Sequence, residues 1–288
     1  MAGDPTDLFA GLVDTLRKLN AGEIEPVEPR HAATVVMLRD SSDGPEVYLL
    51  RRAASMAFAA GAFVFPGGSV DLRDADLADE AWVGRSPTEW ADDLSCDEPL
   101  ARALVCAAVR ETFEESGVLL AGPDGSTVVE DTSGDDWEAD RLALIDRSLS
   151  LAELMRRRDL VVRADLLRAW THWLTPEIES RRFDTRFFVA ALPAGQRTRH
   201  VGGEADRVAW MRPHDALAGN ERGEMMLMPP TLASLRDLTA YASVDEALAA
   251  AAERNVTRIL PKLIFDENDQ LKFLLPHEPG YPQDAETS

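Results

Sequence analysis

The chain has 288 residues, of which 45% are hydrophobic and 28% charged, as is ordinary for a folded protein of one large or two small domains. Its formal net charge of -21 argues against nucleic-acid binding through phosphate contacts, and any anionic substrate needs a local cation. Two cysteines are too few for a disulfide framework or a zinc site, which is typical of a cytoplasmic protein. No signal peptide and no membrane-spanning stretch of about 18 apolar residues is predicted.

The N-terminal region contains a helix pattern followed by strand patterns. Apolar residues at helical spacing predict a helix over residues 7–19, and the prolines after it predict a linker. Residues 1–29 are therefore predicted to be an N-terminal helical extension and linker. Strands are predicted over residues 32–38, 46–51 and 63–65. The first two form a hairpin, and the third ends at Pro66 and two glycines.

Residues 70–98 are acidic and have no clear periodicity, so we expect an insertion at the surface. A lid, a dimer contact and a plain solvated loop are equally defensible roles for it. The helix that follows is capped by Asp97, has Pro99 in its first turn and runs to about Ser116. Gly117 comes next and is predicted to end this helix.

The C-terminal half alternates strand and helix patterns. Residues 124–136 are predicted to be a loop, and a capping-box pattern at Ser150 and Glu153 predicts a helix start. Strands are predicted over residues 166–174, 183–192 and 208–211, helices over 231–241 and 244–252, and a hairpin over 260–265 and 271–275. Residues 277–288 are predicted to be a disordered tail.

Three glutamates crowd the end of the helix that Gly117 terminates. Glu114 and Glu115 lie three and four residues after Glu111, so all three carboxylates share one face. Anions near a helix C-terminus and like charges at this spacing both destabilise a helix. Helix stability therefore gives no reason for the cluster, whereas a divalent cation held by oxygen ligands would give one. The alternative is a solvated helix face.

This segment and the glycine turn together resemble the signature of the Nudix hydrolase family, G-x5-E-x7-R-E-U-x-E-E-x-G-U, where U is bulky and apolar. Arg110 and Glu111 match the R-E pair, Glu114 and Glu115 match the E-E pair, and Gly117 begins the final G-U. Thr112 occupies the first U position, and Phe113 follows it.

The first half of the signature departs from this pattern. Counting back eight residues from Arg110 places Arg102 where the family has its first glutamate, while the glycines occur earlier, at Gly67 and Gly68. An insertion inside the signature is similar to a branch of the family that includes a coenzyme A diphosphatase of eukaryotic organelles. The stretches 61–68, 174–177 and 182–188 also resemble that branch.

The resemblance implies an α/β fold: a Nudix-like α/β/α sandwich with a mixed central sheet, extended by helices at both ends. It implies one Nudix domain over residues 30–276, with residues 70–98 as the insertion within its signature.

The implied reaction is hydrolysis of a nucleoside diphosphate linked to another group, assisted by Mg²⁺ or Mn²⁺. Glu111, Glu114, Glu115 and a main-chain carbonyl at Gly68 are the expected metal ligands. Glu111 and Glu115 are also the expected catalytic residues. Arg110 and Gly117 are expected to be structural.

A further base is expected outside the signature. Glu204 is the candidate, because a glutamate in this region of the family often binds metal or activates water; an exposed loop acid is the alternative.

Arginine forks match phosphate geometry, which makes Arg51, Arg52 and Arg182 candidate substrate contacts, together with the backbone at Gly67. Each arginine is otherwise a surface residue or an ion-pair partner.

Coenzyme A (CoA) or acyl-CoA is the leading substrate, cleaved to an adenine nucleotide and a 4′-phosphopantetheine product. NADH, ADP-ribose or a dinucleoside polyphosphate is the first alternative, because the signature recognises the diphosphate and not its ends. A Nudix-like module that binds a nucleotide without cleaving it is the second. We expect a small-molecule nucleotide as partner, no nucleic acid and no membrane, and a homodimer is plausible.

Overall fold

The computed structural model describes residues 5–53, 59–199, 205–268 and 270–282. Within that part of the chain the backbone forms two compact units. The first contains residues 5–31, 172–185 and 257–282, and the second contains residues 32–171 and 186–256, without the undescribed positions. The N-terminal helix therefore belongs to the same unit as the C-terminal segments, and its role as an extension stays a prediction. A single domain over residues 30–276 stays a prediction.

The described residues form eight α-helices, named in chain order. They are α1 (Pro5–Asn20), α2 (Pro87–Leu94), α3 (Glu98–Ser116), α4 (Asp135–Ile145), α5 (Leu151–Arg158), α6 (Pro213–Glu221), α7 (Pro229–Leu238) and α8 (Val244–Ala252).

The strands of the described residues are numbered in the same way. They are β1 (Arg30–Ser41), β2 (Gly44–Arg52), β3 (Ala62–Val64), β4 (Gly67–Ser69), β5 (Trp82–Val83), β6 (Ala121–Gly122), β7 (Val161–Arg163), β8 (Arg168–Leu174), β9 (Phe183–Ala191), β10 (Ala205–Met211), β11 (Met226–Leu227), β12 (Arg258–Ile259), β13 (Lys262–Phe265) and β14 (Leu271–Leu274).

The second unit is built on a mixed sheet with the strand order β11–β3–β2–β1–β9–β8. The predicted hairpin is confirmed, because β1 and β2 pair antiparallel with Leu38 opposite Val47. Strand β10 pairs antiparallel with β2, whereas β11 pairs parallel with β3. This mixed sheet with flanking helices confirms the predicted α/β fold class.

Helix α3 crosses the core of the second unit and is bounded as predicted. The Asp97 carboxylate accepts a hydrogen bond from the Leu100 amide, which satisfies one of the unpaired donors of the first turn. Gly117 adopts φ 74°, a left-handed conformation that glycine tolerates without strain, and ends the helix. Leu104, Ala108 and other positions on all sides of the helix are fully buried.

The segment 70–98 is not a solvated surface loop, which corrects that expectation. Trp90 and Leu94 of α2 are 0% and 2% exposed, and the Trp90 ring packs edge-on against Phe188 at 5.6 Å. The segment also contributes β5, in which Trp82 pairs with Val162 of β7 in a separate three-stranded sheet. The prediction of a surface insertion was wrong because the many acidic residues of the segment outweighed the two apolar side chains, Trp90 and Leu94, that are buried.

Besides α2, two further helices were missing from the prediction. Helix α4 begins inside the region predicted as a loop, and α6 begins at Pro213 in a stretch for which no element was predicted. Neither has a side-chain N-cap, and their polar and apolar residues are weakly segregated, so the sequence lacked both usual helix signals.

The first unit contains α1 and the predicted hairpin of β13 and β14, which is confirmed with Leu263 opposite Phe273. Buried Tyr281 donates a hydrogen bond to the Leu260 carbonyl at 2.7 Å, so the predicted disordered tail does not begin at residue 277. In neither unit is a described helix both long and apolar enough to cross a membrane.

Trp90 gives a test of how the insertion contributes to folding. We expect Trp90→Ala to lower the free energy of unfolding by about 3–5 kcal/mol, because it leaves a large cavity in the core. Urea denaturation measures the loss. Trp90→Phe is the matched control: it keeps a ring and removes an indole N–H that has no acceptor among the described residues. An Ala variant as stable as the Phe variant would show that the insertion does not contribute to the core.

Candidate active site

The glycine turn and the glutamate helix meet in the second unit. Strand β4 pairs antiparallel with β1, which places Gly67 opposite Thr34 and Gly68 opposite Ala33. A Cβ at Gly67 would lie 2.4 Å from the Thr34 Oγ1, and a Cβ at Gly68 would lie 2.5 Å from Oε1 of Glu111. Both positions therefore require glycine, and Gly68 lies directly against the first glutamate of the cluster.

Glu115 is held by the same turn. The Gly67 amide donates a hydrogen bond to its Oε2 at 2.8 Å. Burial, and to a smaller extent the Glu115 charge, raises the pKa of Tyr48, whose hydroxyl donates to the Arg199 carbonyl at 3.2 Å. Glu115 is thus oriented by a main-chain donor.

Arg110 binds the other two glutamates. Its Nη1 donates to Glu111 at 2.8 Å and to Glu114 at 3.1 Å. Its Nε and Nη2 donate to the two carboxylate oxygens of Asp74, both at 2.9 Å, and Nη2 also donates to the Ser69 carbonyl at 2.9 Å. All five guanidinium donors are therefore used, and one cation links the end of β4, Asp74 and α3.

Burial sets the protonation of these carboxyl groups. It raises the pKa of Glu111 to about 7, and the neighbouring Glu114 adds to the shift while Arg110 opposes it. Burial also raises the pKa of Glu114, again against the attraction of Arg110. Glu111, Glu114 and Asp74 share one guanidinium, so the cluster carries more negative charge than its own cation can neutralise.

Comparisons with known proteins agree with this geometry. A family model described as the NUDT19 Nudix domain matches residues 85–238. The chain belongs to the Nudix hydrolase family. It is 28% identical to the acyl-coenzyme A diphosphatase NUDT19 of Xenopus laevis over 84% of this chain and 72% of that protein. The human protein of the same name is also 28% identical, over 85% of this chain and 74% of its own length.

A solved structure supports the same assignment. The Nudix hydrolase from Alicyclobacillus acidocaldarius superimposes with a TM-score of 0.66 and 29% sequence identity, covering 77% of this chain and 96% of its own. The chain is accordingly an enzyme of the Nudix class, which acts on the diphosphate linkage of small-molecule nucleotides.

The first acid of the Nudix box is Asp74. Counting forward from Gly68, five residues precede it, as the G-x5-E pattern requires, and its carboxylate binds Arg110 with both oxygens. The insertion lies between Asp74 and Arg110, so residues 70–74 of the predicted insertion belong to the box.

The prediction that Arg102 replaces the first box glutamate is therefore wrong. Counting back from Arg110 runs into the insertion, so the position it reaches no longer corresponds to the first acid of the family signature. Arg102 instead donates to the Leu77 carbonyl and to Asp79. The forward count from Gly68 was the sequence signal that could have identified Asp74.

Thr112, which stands at an apolar position of the box, is fully buried with its hydroxyl donating to the Ala108 carbonyl at 2.7 Å. This internal hydrogen bond explains how the core accepts a polar residue there. Gly117 is also constrained beyond its φ, because a Cβ would lie 2.5 Å from the Arg199 Nε. Its structural role stays a prediction.

The predicted substrate arginines are placed differently from one another. Arg51 forms two hydrogen bonds with Asp206, at 2.6 and 3.0 Å, and Arg52 ends β2 beside it. Arg182 belongs to the first unit, where its buried guanidinium donates to the Thr175 and Val27 carbonyls. Those main-chain contacts give Arg182 a structural role and do not support the predicted substrate contact.

The expected metal ligands fit a hard divalent cation in donor type and in charge, since they are carboxylate oxygens and a main-chain carbonyl. Among the described residues, however, no group of three His, Cys, Asp or Glu side chains has the spacing to hold an ion. In this structure Glu111 and Glu114 are instead both bound to Nη1 of Arg110. Glu204, the predicted additional base, lies outside the described residues.

Asp74 gives a test of the corrected box. We expect Asp74→Asn to lower the free energy of unfolding by about 3 kcal/mol, because it leaves the buried Arg110 guanidinium without its main counter-charge. Urea denaturation measures this. Asp79→Asn is the control, since Asp79 pairs with Arg102 while 86% of its side chain is exposed, and such pairs contribute about 0–1 kcal/mol. Equal losses in the two variants would contradict the assignment.

Glu111 gives a pH dependence of stability. Its folded pKa of about 7 exceeds the ordinary value of 4.5, so the unfolded chain releases this proton first as the pH rises. In the absence of divalent metal, the free energy of unfolding of the wild-type protein should therefore fall relative to that of Glu111→Gln as the pH rises from about 4.5 to 7. The expected decrease is on the order of 2–3 kcal/mol. Denaturation of both proteins across this range measures the difference. Parallel pH profiles would refute the raised pKa.

Proposed function

We propose that this enzyme cleaves the diphosphate linkage of CoA or acyl-CoA in a reaction that depends on Mg²⁺ or Mn²⁺. The products are an adenine nucleotide and 4′-phosphopantetheine or its acyl derivative. The similarity to proteins named acyl-coenzyme A diphosphatase supports this substrate, because it extends over more than four fifths of the chain.

The observation that carries the proposal is the group of carboxylates at the end of α3, packed against Gly68 and bound by Arg110. Glu111, Glu114, Glu115 and the Gly68 carbonyl would hold the ion. When bound, the ion would neutralise phosphate oxygens and acidify a water molecule.

The residues of the chain supply orientation. Arg110 fixes Glu111 and Glu114 relative to α3 and β4, and the Gly67 amide fixes Glu115. Positioned groups of this kind lower the entropy that the reacting groups must lose. Glu204 is proposed as an additional base. Gly67 and Arg52 are proposed to border the substrate, and Arg51 can do so only if its pair with Asp206 opens.

A homodimer and a cytoplasmic location stay predictions. Sedimentation of the purified protein and localisation in its own cells would test them.

Activity on a substrate panel tests the proposal. CoA and acyl-CoA should be hydrolysed faster than NADH, ADP-ribose and diadenosine polyphosphates with Mg²⁺ or Mn²⁺, and chelation should abolish turnover. Glu115→Gln should reduce kcat by roughly a hundredfold or more, the scale of a positioned catalytic group. Product chromatography identifies the bond that is cut. Preference for a compound without CoA would refute the substrate, and normal activity of Glu115→Gln would refute the role of that residue.

A further inference from the structure

The end of α3 is held from outside by side chains of the segment that follows it. Arg141 of α4 donates from Nη1 to the Glu114 carbonyl at 2.7 Å, and the Thr132 hydroxyl donates to the Gly117 carbonyl at 2.6 Å. The carbonyls at the end of a helix have no partner within it, so both bonds satisfy acceptors that the helix leaves open. The guanidinium also offsets the negative pole of the helix, to which the carboxylates of the cluster add.

Arg141 is itself fixed in one orientation. Its Nε and Nη2 donate to the two carboxylate oxygens of Glu138 at 2.9 and 2.6 Å, which is a bidentate pair. Trp137, the neighbour of Glu138 in α4, packs edge-on against Phe113 of α3 at 6.1 Å. All of these contacts lie within the second unit, and they place α4 against the end of α3 that carries the glutamates.

Folding stability alone does not explain an arginine at this position. Arg141 is 1% exposed, and removing a guanidinium from water costs free energy that an ion pair recovers only in part. An apolar side chain of similar volume in place of a buried ion pair is often neutral or stabilising. The guanidinium therefore points to a role in the geometry of the site.

Arg110 and Arg141 hold Glu114 in different ways. Arg110 binds the Glu114 carboxylate at 3.1 Å, so a cation bound by that carboxylate would compete with Arg110. Arg141 binds the main-chain carbonyl of Glu114, which leaves the carboxylate available. The Arg141 contact is therefore the one that can persist when the carboxylate binds another partner.

We infer that Arg141 is a positioning residue: by holding the main chain of Glu114, it fixes the direction in which the Glu114 carboxylate faces a divalent cation. This inference rests on the proposed function for the role of the ion. Partners that orient a metal ligand typically contribute about 10- to 100-fold in metal affinity or activity, although they do not touch the metal.

Binding of Mn²⁺ to the metal-free protein, followed by the electron paramagnetic resonance of the free ion, tests the inference without turnover. Arg141→Met removes the donors at similar side-chain length and should weaken Mn²⁺ binding by about 10- to 100-fold. Arg141→Lys keeps a cation and a donor and should restore part of the affinity. In Arg141→Met, the Mn²⁺ concentration for half-maximal CoA hydrolysis should rise by the same factor, and kcat at saturating Mn²⁺ should change less.

Arg158→Met is the matched control for the anchoring of α4. The Arg158 guanidinium lies 3.9 Å from the centre of the Trp137 ring and pairs with Asp136 at 2.7 Å, so it anchors α4 through partners other than Glu114. This variant should leave Mn²⁺ affinity unchanged. Thermal unfolding of every variant measures the effect on stability separately.

A double-mutant cycle separates an effect through Glu114 from a general loosening of the fold. In a Glu114→Gln background, Arg141→Met should cause little further loss of Mn²⁺ affinity, because the carboxylate that it positions is gone. Glu138→Gln is the variant to use where Arg141→Met does not fold, since the Glu138 side chain is 38% exposed. It removes the charge that orients the Arg141 fork and should weaken Mn²⁺ binding by a smaller factor.

Wild-type Mn²⁺ affinity in a folded Arg141→Met, additive losses in the cycle, or an equal loss in Arg158→Met would overturn the inference. Where Arg141→Met does not fold, wild-type affinity in Glu138→Gln would overturn it. A wild-type protein that binds Mn²⁺ through Arg141 but hydrolyses nothing in the substrate panel would refute the proposed function alone. A wild-type protein that binds no Mn²⁺ would refute both.

Discussion

The guanidinium of Arg110 is the interaction on which the active site depends. The end of an α-helix is an unfavourable place for three carboxylates, and Gly117 terminates α3 only two residues after Glu115. Arg110 makes this arrangement possible by binding Glu111 and Glu114 while its other donors bind Asp74 and the Ser69 carbonyl. The same cation therefore lowers the repulsion within the cluster and fixes the distance between α3 and β4.

This constraint explains why the insertion is part of the core. Asp74 and Arg110 are 36 positions apart in the chain, yet their side chains meet in a buried ion pair. The intervening segment must leave β4 and return to α3 in a defined geometry. Burial of Trp90 and Leu94 and the pairing of β5 with β7 determine that path, so the packing of the insertion and the geometry of the carboxylates are coupled.

Local signals explain which features could be predicted from the sequence. The hairpin of β1 and β2, the boundaries of α3 and the glutamate cluster follow from periodicity, capping residues and short spacings. Identifying Asp74 as the first acid of the box required knowing that it pairs with Arg110. Local spacing could not show this, because the insertion separates the two residues in the chain. Arg182 shows a similar dependence, because its guanidinium donates to the carbonyls of residues 27 and 175, contacts that local spacing does not reveal. Helices α4 and α6 lacked capping side chains that would have revealed them.

Charge is the remaining problem for an enzyme of this composition. A chain with a net charge of -21 repels anionic nucleotides at long range, and the carboxylates at the site add to that repulsion. A bound divalent cation offsets only part of it, because the same ion must be shared between the glutamates and the phosphate oxygens. Arg110 cannot contribute donors, since every one of them is already used by the protein. The substrate anion therefore has to be bound by cationic groups other than Arg110.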